Sequence, residues 1–578
     1  MISTTSGSPS LGDGAGEFSF RTRERALERF QKEEFDLLIV GGGITGAATA
    51  RDAVSRGLRV ALIERKDYAF GTSSRSSKLI HGGLRYLQKF ELKLVFEALA
   101  ERSFFLKVMP HRVKSLSFYY PIYREGLVRP TLLSFGLWLY DILALFRSPE
   151  FHSRYSSKKL LAEIPFLKEE GLLTGFKFYD ATMMDDVLAV ETIRAAHEKG
   201  AATANYIEAV EPLWNGDRIV GFKAKDQVAG KNYEIRASQT VVCAGPWTDK
   251  VGVKLSNNWK QWLNPSKGVH LVFDHKRIPV PGTVVMSHPK DGRISFVVPR
   301  TDFGTGVVIV GTTDSPTPDD PDRAEVVADD VHYLMNLLNL SFPKLRLTAQ
   351  DIVSAYVGVR PLVDDQSGEK VGVSLQKVSR EHQIEEGPGG TVIVAGGKYT
   401  THRKMAEEVV DFALKTWKKE FKKTGKYPLP QNIGTSHTKL PLSANLTQEE
   451  TEKAVQSAQE NKIQLPQELL ERYGADALRI CQMQSKDQTR PDPAAFPMLQ
   501  SQLRYAIQKE MVIHLEDFYL RRVPLFLSRS DGGLPWAEAL ARVWAAERGL
   551  DEKEAASELE RLKAELENRS AWKKTLKS

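Results

Sequence analysis

Between Phe35 and Glu64 the chain carries five features in an order that few folds accept. An apolar run, Phe35 to Val40, leads into Gly41-Gly42-Gly43-Ile44-Thr45-Gly46. Ala47 to Arg56 then has helical character and stops at Gly57, and a second apolar run, Arg59 to Ile63, ends in Glu64. This is the spacing of a strand, a glycine turn, a helix and a second strand that together bind the pyrophosphate of a dinucleotide. Gly41 permits the tight turn, Gly43 lets the backbone approach a pyrophosphate, and Gly46 lets the helix pack closely on the strand. Ile44 and Thr45 open the helix, whose positive N-terminus suits the phosphates. Glu64 stands where an acid accepts hydrogen bonds from a ribose. The sequence therefore predicts an α/β domain with a dinucleotide site.

NAD and FAD share this unit, so the choice rests on other segments. Thr240 to Gly245 (TVVCAG) is a strand running into a small-residue turn that contains Ala244 and Gly245, followed by Pro246-Trp247. Thr391 to Gly397 (TVIVAGG) is another, followed by Lys398 and a helical stretch from Thr400. Each alone reads equally well as an ordinary buried strand and turn. Together with the opening fingerprint they favour an extended FAD, which spans more protein than NAD and uses a second helix N-terminus.

A chain of 578 residues is long enough for two or three domains with a large interior. Its 42% hydrophobic and 26% charged residues exclude disordered, collagen-like and multi-spanning membrane classes. Two cysteines, Cys243 and Cys481, are too few for a disulfide scaffold or a Cys-rich zinc or iron–sulfur site, and no EF-hand loop occurs, so no metal is expected. The same count reads as intracellular. Lys plus Arg exceed the acids by 80 to 73, a net charge of +7, which suits an anionic substrate or an anionic lipid surface better than nucleic acid.

Residues 1–32 read as a disordered and then charged lead-in, without an apolar core for a secretory signal. Glu17, Glu24 and Glu28 argue against a mitochondrial transit peptide. Residues 33–430 form the discontinuous dinucleotide domain, with substrate-binding segments inserted at about 87–185 and 262–360. Strand-like runs at Phe118–Tyr123, Gly175–Asp180, Val269–Phe273, Ile294–Pro299 and Val307–Gly311 predict a second, sheet-rich layer. A Lys-rich connector, Trp417 to Lys426, leads to a C-terminal α-helical domain over 431–578, with long helical stretches at Gln500–Arg522 and Asp551–Lys563. Thr131 to Phe146 is apolar and carries Trp138 and Tyr140, but is too short to span a bilayer. It reads either as a buried core helix or as an interfacial helix flanked by Arg124, Arg129 and Arg147.

From Gly71 the chain reads GTSSRSSKLIHGGLRYL, and in this stretch it resembles the FAD-dependent glycerol-3-phosphate dehydrogenase family. Lys267-Gly268-Val269-His270, Gly311-Thr312-Thr313-Asp314, Gly358-Val359-Arg360-Pro361-Leu362 and Gly396-Gly397-Lys398-Tyr399-Thr400-Thr401 resemble further family motifs in the family's order. Leu515-Glu516-Asp517 to Arg521-Arg522 is similar to the family's C-terminal domain. The resemblance implies an FAD-binding Rossmann-like domain of the D-amino-acid-oxidase type with an inserted sheet-based substrate domain. It also implies oxidation of sn-glycerol 3-phosphate to dihydroxyacetone phosphate, with electrons passed to a membrane quinone or, in oxidase members, to oxygen. Such an enzyme would lie on the inner face of the cytoplasmic membrane as a peripheral protein, and a homodimer is compatible with it. Thr72, Ser73, Ser77, Lys78 and Leu79, in the signature, are expected on the flavin.

Oxidising a secondary alcohol needs a base for the hydroxyl proton while hydride leaves carbon 2. His81, in a Gly-flanked turn, is the first choice and His270, on a strand-like run where packing is the commoner role, the second. Arg360 is the leading phosphate ligand because its planar fork can bind phosphate oxygens bidentately. Lys398 could join it or stabilise charge on the reduced flavin, and Arg85 and Lys267 are further cations for the phosphate. An amine or amino-acid oxidase on the same scaffold, and a non-catalytic flavin-bearing membrane sensor, are the rival readings.

Overall fold

The computed structural model describes residues 16–87, 91–288, 292–318, 320–363, 382–436, 447–484 and 491–576. It opens with helix α1 (Phe20–Lys32), strand β1 (Glu34–Val40), helix α2 (Ile44–Ser55) and strand β2 (Val60–Ile63). Helix α1 begins where the Ser19 hydroxyl accepts the amide of Arg21 at 3.1 Å, and it buries Ala26, Leu27 and Phe30 on the sheet. The charged lead-in is thus a docked helix from Phe20 onward, because its apolar residues recur on one face. Of the part expected to be disordered, residues 1–16, all but Gly16 lie outside the described residues.

Two sheets form the body. In the first, of eight strands, β1 lies parallel to β2 and to the strand Asn232–Val242, which in turn lies parallel to Val392–Ala395. The register aligns Val40 with Ile63 and Val242, and Val242 with Ile393. Parallel strands in register end on one edge of the sheet. The glycine turn after Val40, the small-residue turn after Val242 and the Gly396-Gly397 turn after Ala395 therefore lie side by side, at the carboxyl edge where α/β sheets bind ligands.

The second sheet has ten strands and contains each of the five strand-like runs expected for it. Next to one edge Ser266–Asp274 runs antiparallel between Ile352–Arg360 and Val307–Gly311, which places His270 opposite Tyr356 and Gly311 and brings Arg360 opposite Ser266. The C-terminal helices close one side of this sheet. Leu499, Leu503, Phe518, Leu540 and Trp544 share one buried core with Phe118, Val285 and Val298 of its strands.

Three expectations change. The Lys-rich stretch from Trp417 is not a connector but the end of the helix His402–Thr424, in which Trp417 is fully buried and donates its indole N–H to the Tyr427 carbonyl at 2.8 Å. Burying so large a side chain against the sheet outweighs the solvation of the lysines around it, which occupy the opposite face. The helical stretch 500–522 divides into Leu499–Lys509 and Leu515–Arg521, because Asp517 caps the second helix by accepting the amides of Ile513 and His514 at 3.0 and 2.9 Å. The apolar segment forms the helix Pro130–Leu143, and each of its two readings describes one face. Leu133, Leu137, Tyr140 and Asp141 are buried, whereas Leu132, Phe135, Trp138 and Ile142 are half or more exposed.

Candidate active site

The glycine turn is built by close backbone approach. Gly41 has φ +115°, and a side chain there would meet the Cys243 carbonyl at 2.4 Å; a methyl on Gly46 would sit 1.9 Å from the Gly41 carbonyl oxygen. Gly41 and Gly46 thus have the turn and packing roles their spacing predicts. Gly43 caps α2 without a side chain, and the Ser73 hydroxyl accepts the Ile44 amide at 2.9 Å. Glu64 ends β2 and accepts the amides of Gly42 and Lys66 at 2.7 and 2.8 Å. Burial pushes its carboxyl above the ordinary range despite those two donors.

These groups open into one cavity of about 950 Å³ that also contains His81, His270, Arg360 and Lys398. The volume is at the upper end of single-ligand sites, large enough for an extended dinucleotide and a small second molecule. Gly43, Ile44, Thr45, Glu64, Thr72, Ser73, Ser77, Leu79, Ala244, Gly245, Gly397 and Thr400 all line it. Its far end is apolar and includes Leu132, Phe135 and Leu139 of the Pro130–Leu143 helix.

His270 sits in the cavity wall with its Nε2 2.8 Å from the Ser77 hydroxyl and its ring stacked on Tyr356 at 4.7 Å. Burial, then the charges of Arg360 and Lys78, lower its pKa to about 3, so the imidazole is neutral. Its Nδ1 is buried with no protein partner. The Arg360 fork is oriented by the Thr312 hydroxyl and the Thr313 carbonyl at 2.8 and 3.0 Å from Nη2, and by Asp314 at 3.2 Å from Nη1. Gly268 leaves room for it, since a methyl there would lie 2.3 Å from Nη2. His81 is followed by Gly82, whose amide donates to the Tyr140 hydroxyl at 2.9 Å; that hydroxyl donates in turn to Asp180, which is also held by Arg102 at 2.7 Å.

Two expected ligands are committed elsewhere. The Lys78 ammonium is fully buried, hydrogen-bonded to Asp185 and 3.6 Å from Asp186. Lys267 binds Asp330 and the Glu325 carbonyl at 2.8 and 3.0 Å. Neither lines the cavity, because a buried ammonium is held by the nearest carboxylate. The side chain of Arg85 lies outside the described residues. Sequence reasoning passed over Arg75, which lines the cavity, packs 4.8 Å over the Phe70 ring and has its pKa lowered to about 9 by burial and by Arg569 and Arg521. It also passed over Asp185, which accepts from the Ser76 hydroxyl at 2.6 Å and from Lys78, and so fixes the signature loop.

Residues 36–403 match the model of the FAD dependent oxidoreductase family, and residues 433–555 match the C-terminal domain of alpha-glycerophosphate oxidase. The aerobic glycerol-3-phosphate dehydrogenase of Bacillus subtilis is 34% identical over 511 residues, covering 88% of this chain and 90% of that protein. Its counterpart from Staphylococcus saprophyticus is 33% identical over 541 residues, covering 92% and 95%. The chain belongs to the FAD-dependent glycerol-3-phosphate dehydrogenase family. The crystal structure of a family member, the Bacillus halodurans glycerol-3-phosphate dehydrogenase complexed with FAD, superposes with a TM-score of 0.72 at 27% identity and covers 95% of this chain and 98% of that one. The L-alpha-glycerophosphate oxidase of Mycoplasma pneumoniae, at 18% identity and a TM-score of 0.51, shares the fold.

The residues present fit the family's cofactor. A helix N-terminus capped by Gly43 and an acid at the end of β2 open into a cavity that also holds the unpartnered Nδ1 of a buried histidine. Among the described residues no group of ligands suits a metal ion, and no helix is long and apolar enough to cross a membrane.

Proposed function

We propose that the protein oxidises sn-glycerol 3-phosphate to dihydroxyacetone phosphate and passes the electrons to a membrane quinone. The observation that carries this reading is the single cavity joining the dinucleotide turns, Arg360 with the two histidines, and the inner side of an apolar helix. FAD, held by the Gly41–Gly46 turn, Glu64 and the 72–79 loop, supplies the acceptor for the hydride of substrate carbon 2. Arg360, pre-aimed by Asp314 and Thr312, binds the phosphate, and Lys398, which lines the same cavity, adds a second cation. His81 takes the hydroxyl proton, its turn held in place through Gly82 by Tyr140 and Asp180. His270, whose lowered pKa leaves the neutral ring a weak base, serves instead as a hydrogen-bonding wall.

The other face of the Pro130–Leu143 helix makes the membrane contact. Trp138 and Ile142 project from it, each half or more exposed, while Leu132 and Phe135 are exposed at the edge of the cavity that they line. Arg124, Arg129 and Arg147 flank it for anionic headgroups, so the protein lies on the inner face of the cytoplasmic membrane. The same helix walls the cavity, and it is there that a lipid-soluble quinone enters. Anaerobic addition of sn-glycerol 3-phosphate should bleach the flavin, and amino acids should not. A short-chain quinone should restore the oxidised spectrum much faster than oxygen; the reverse order would make the protein an oxidase, and bleaching by an amino acid alone would overturn the substrate.

A further inference from the structure

The motif Leu515–Arg522 does not line the cavity, although Arg521 packs 5.7 Å from the ring of Phe70, which does, and it has no role in the chemistry above. In the structure it reaches back across some 450 residues of chain to the loop that follows Glu64. Asp67 is fully buried there. One of its carboxylate oxygens accepts Arg521 Nε at 2.5 Å and Arg522 Nη1 at 2.9 Å; the other accepts Arg522 Nη2 at 2.9 Å and the Asn205 amide at 3.2 Å. Burial works against the charge, yet the two guanidiniums hold the Asp67 carboxyl below the usual range.

The second half of the grip is on the neighbouring loop. Tyr206 donates its hydroxyl to Asp517 at 2.6 Å, and Asp517 also accepts Arg521 Nη2 at 2.9 Å. The two gripped loops frame Glu64 between them. The Glu64 amide donates to Ala204 at 3.1 Å, the Ile207 amide donates to Glu64 at 2.7 Å, and the Tyr206 amide donates to Lys66 at 2.9 Å. Beyond Asp67, the Ala69 amide donates to the Gly42 carbonyl at 3.0 Å, so this loop also closes on the glycine turn. Glu64, Ile207 and Glu208 line the cavity, whereas Asp67, Asp517, Arg521 and Arg522 do not.

We infer that Arg521, Arg522 and Asp517 of the C-terminal domain are positioning residues for the cofactor, holding Glu64 in place by clamping the Asp67 and Tyr206 loops. The inference rests on FAD occupying the Gly41–Glu64 site. It gives the C-terminal helices a task at the ribose end of FAD, remote from the substrate. A carboxylate poised between two amides must keep its backbone still if it is to accept ribose hydroxyls, and a buried bidentate arginine pair supplies that rigidity.

The test is the FAD dissociation constant, read from the rise of free-flavin fluorescence as holoenzyme is diluted, for wild type, Asp67→Asn, Tyr206→Phe, Glu64→Gln and the double variants. Wild type that retains no flavin would refute the FAD site itself, before the clamp is at issue. Asp67→Asn should weaken FAD about tenfold, the scale of one buried charge-assisted hydrogen bond, and Tyr206→Phe a few-fold, with the circular dichroism spectrum kept. Because the clamp acts through Glu64, neither change should add its full loss in the Glu64→Gln background. Full additivity, or a folded variant with wild-type FAD affinity, would reduce the clamp to a domain brace and overturn the inference. Should Asp67→Asn fail to fold, Tyr206→Phe, which removes one oxygen and leaves every charge paired, decides alone.

Discussion

Replacing Arg360 by leucine separates phosphate recognition from every other function of the site. The guanidinium is held at both ends before substrate arrives, by Thr312 and Thr313 through Nη2 and by Asp314 and Ser266 through Nη1. Little side-chain entropy is therefore left to lose on binding. Because those acceptors already take the Nη hydrogens, a phosphate dianion gains the guanidinium's charge and about one charge-assisted bond net, about 1.5–3 kcal/mol. At ~1.4 kcal/mol per decade this is a loss of about 10–10² in kcat/KM for sn-glycerol 3-phosphate. The leucine also leaves Asp314 unpaired beside the phosphate, so adding Asp314→Asn should recover part of the loss. Steady-state kinetics on sn-glycerol 3-phosphate and on glycerol, with flavin content measured for each variant, read the effect; the weak reaction with glycerol should hardly change. Equal losses on both substrates would refute the reasoning and make Arg360 a support for the fold or the flavin.

His81→Ala should slow flavin reduction by about 10²–10⁴, the range for loss of a general base, while His270→Ala should cost far less; stopped-flow absorbance compares them, and the opposite order would exchange their roles. Trp138→Ser with Ile142→Ser should release the protein from anionic vesicles in a flotation assay and lower quinone turnover while flavin reduction by substrate persists, since both residues are exposed and neither lines the cavity. The pairing of Glu191 with Arg112, at 2.8 Å from Nε, gives a pH prediction. Burial raises the Glu191 pKa, but Arg112 outweighs it and holds it at about 2. Against an unfolded value of about 4.3, the stability of roughly 3 kcal/mol is fully present above pH ~4.3 and is lost as the pH falls towards about 2. The gap in melting temperature between wild type and Glu191→Gln should therefore shrink on acidification; a constant gap would contradict the shift.

Local pattern made much of this site legible. The glycine spacing at 41–46, the acid at 64 and the two later small-residue turns can be read because each is a few consecutive residues with one backbone task, and the parallel register then brings their ends together. The histidines and Arg360 stood out by residue type, and the register of the second sheet explains how His270 and Arg360 meet. What the sequence hid was pairing. Nothing local shows that Lys78 is bound by Asp185, or Lys267 by Asp330, across 107 and 63 residues. Arg521 and Arg522 resembled part of the family's C-terminal domain, and nothing local pairs them with Asp67, more than 450 residues away. The helix at 130–143 was ambiguous for another reason: its apolar residues fall on both faces, so periodicity could not tell core from surface.

The central claim is hydride transfer from carbon 2 of sn-glycerol 3-phosphate within this cavity. It is tested most directly by anaerobic single-turnover flavin reduction with substrate carrying deuterium at carbon 2. The flavin should bleach, and deuterium should slow the bleaching severalfold. Bleaching at an unchanged rate with deuterated substrate, or a flavin that stays oxidised in saturating sn-glycerol 3-phosphate, would contradict it.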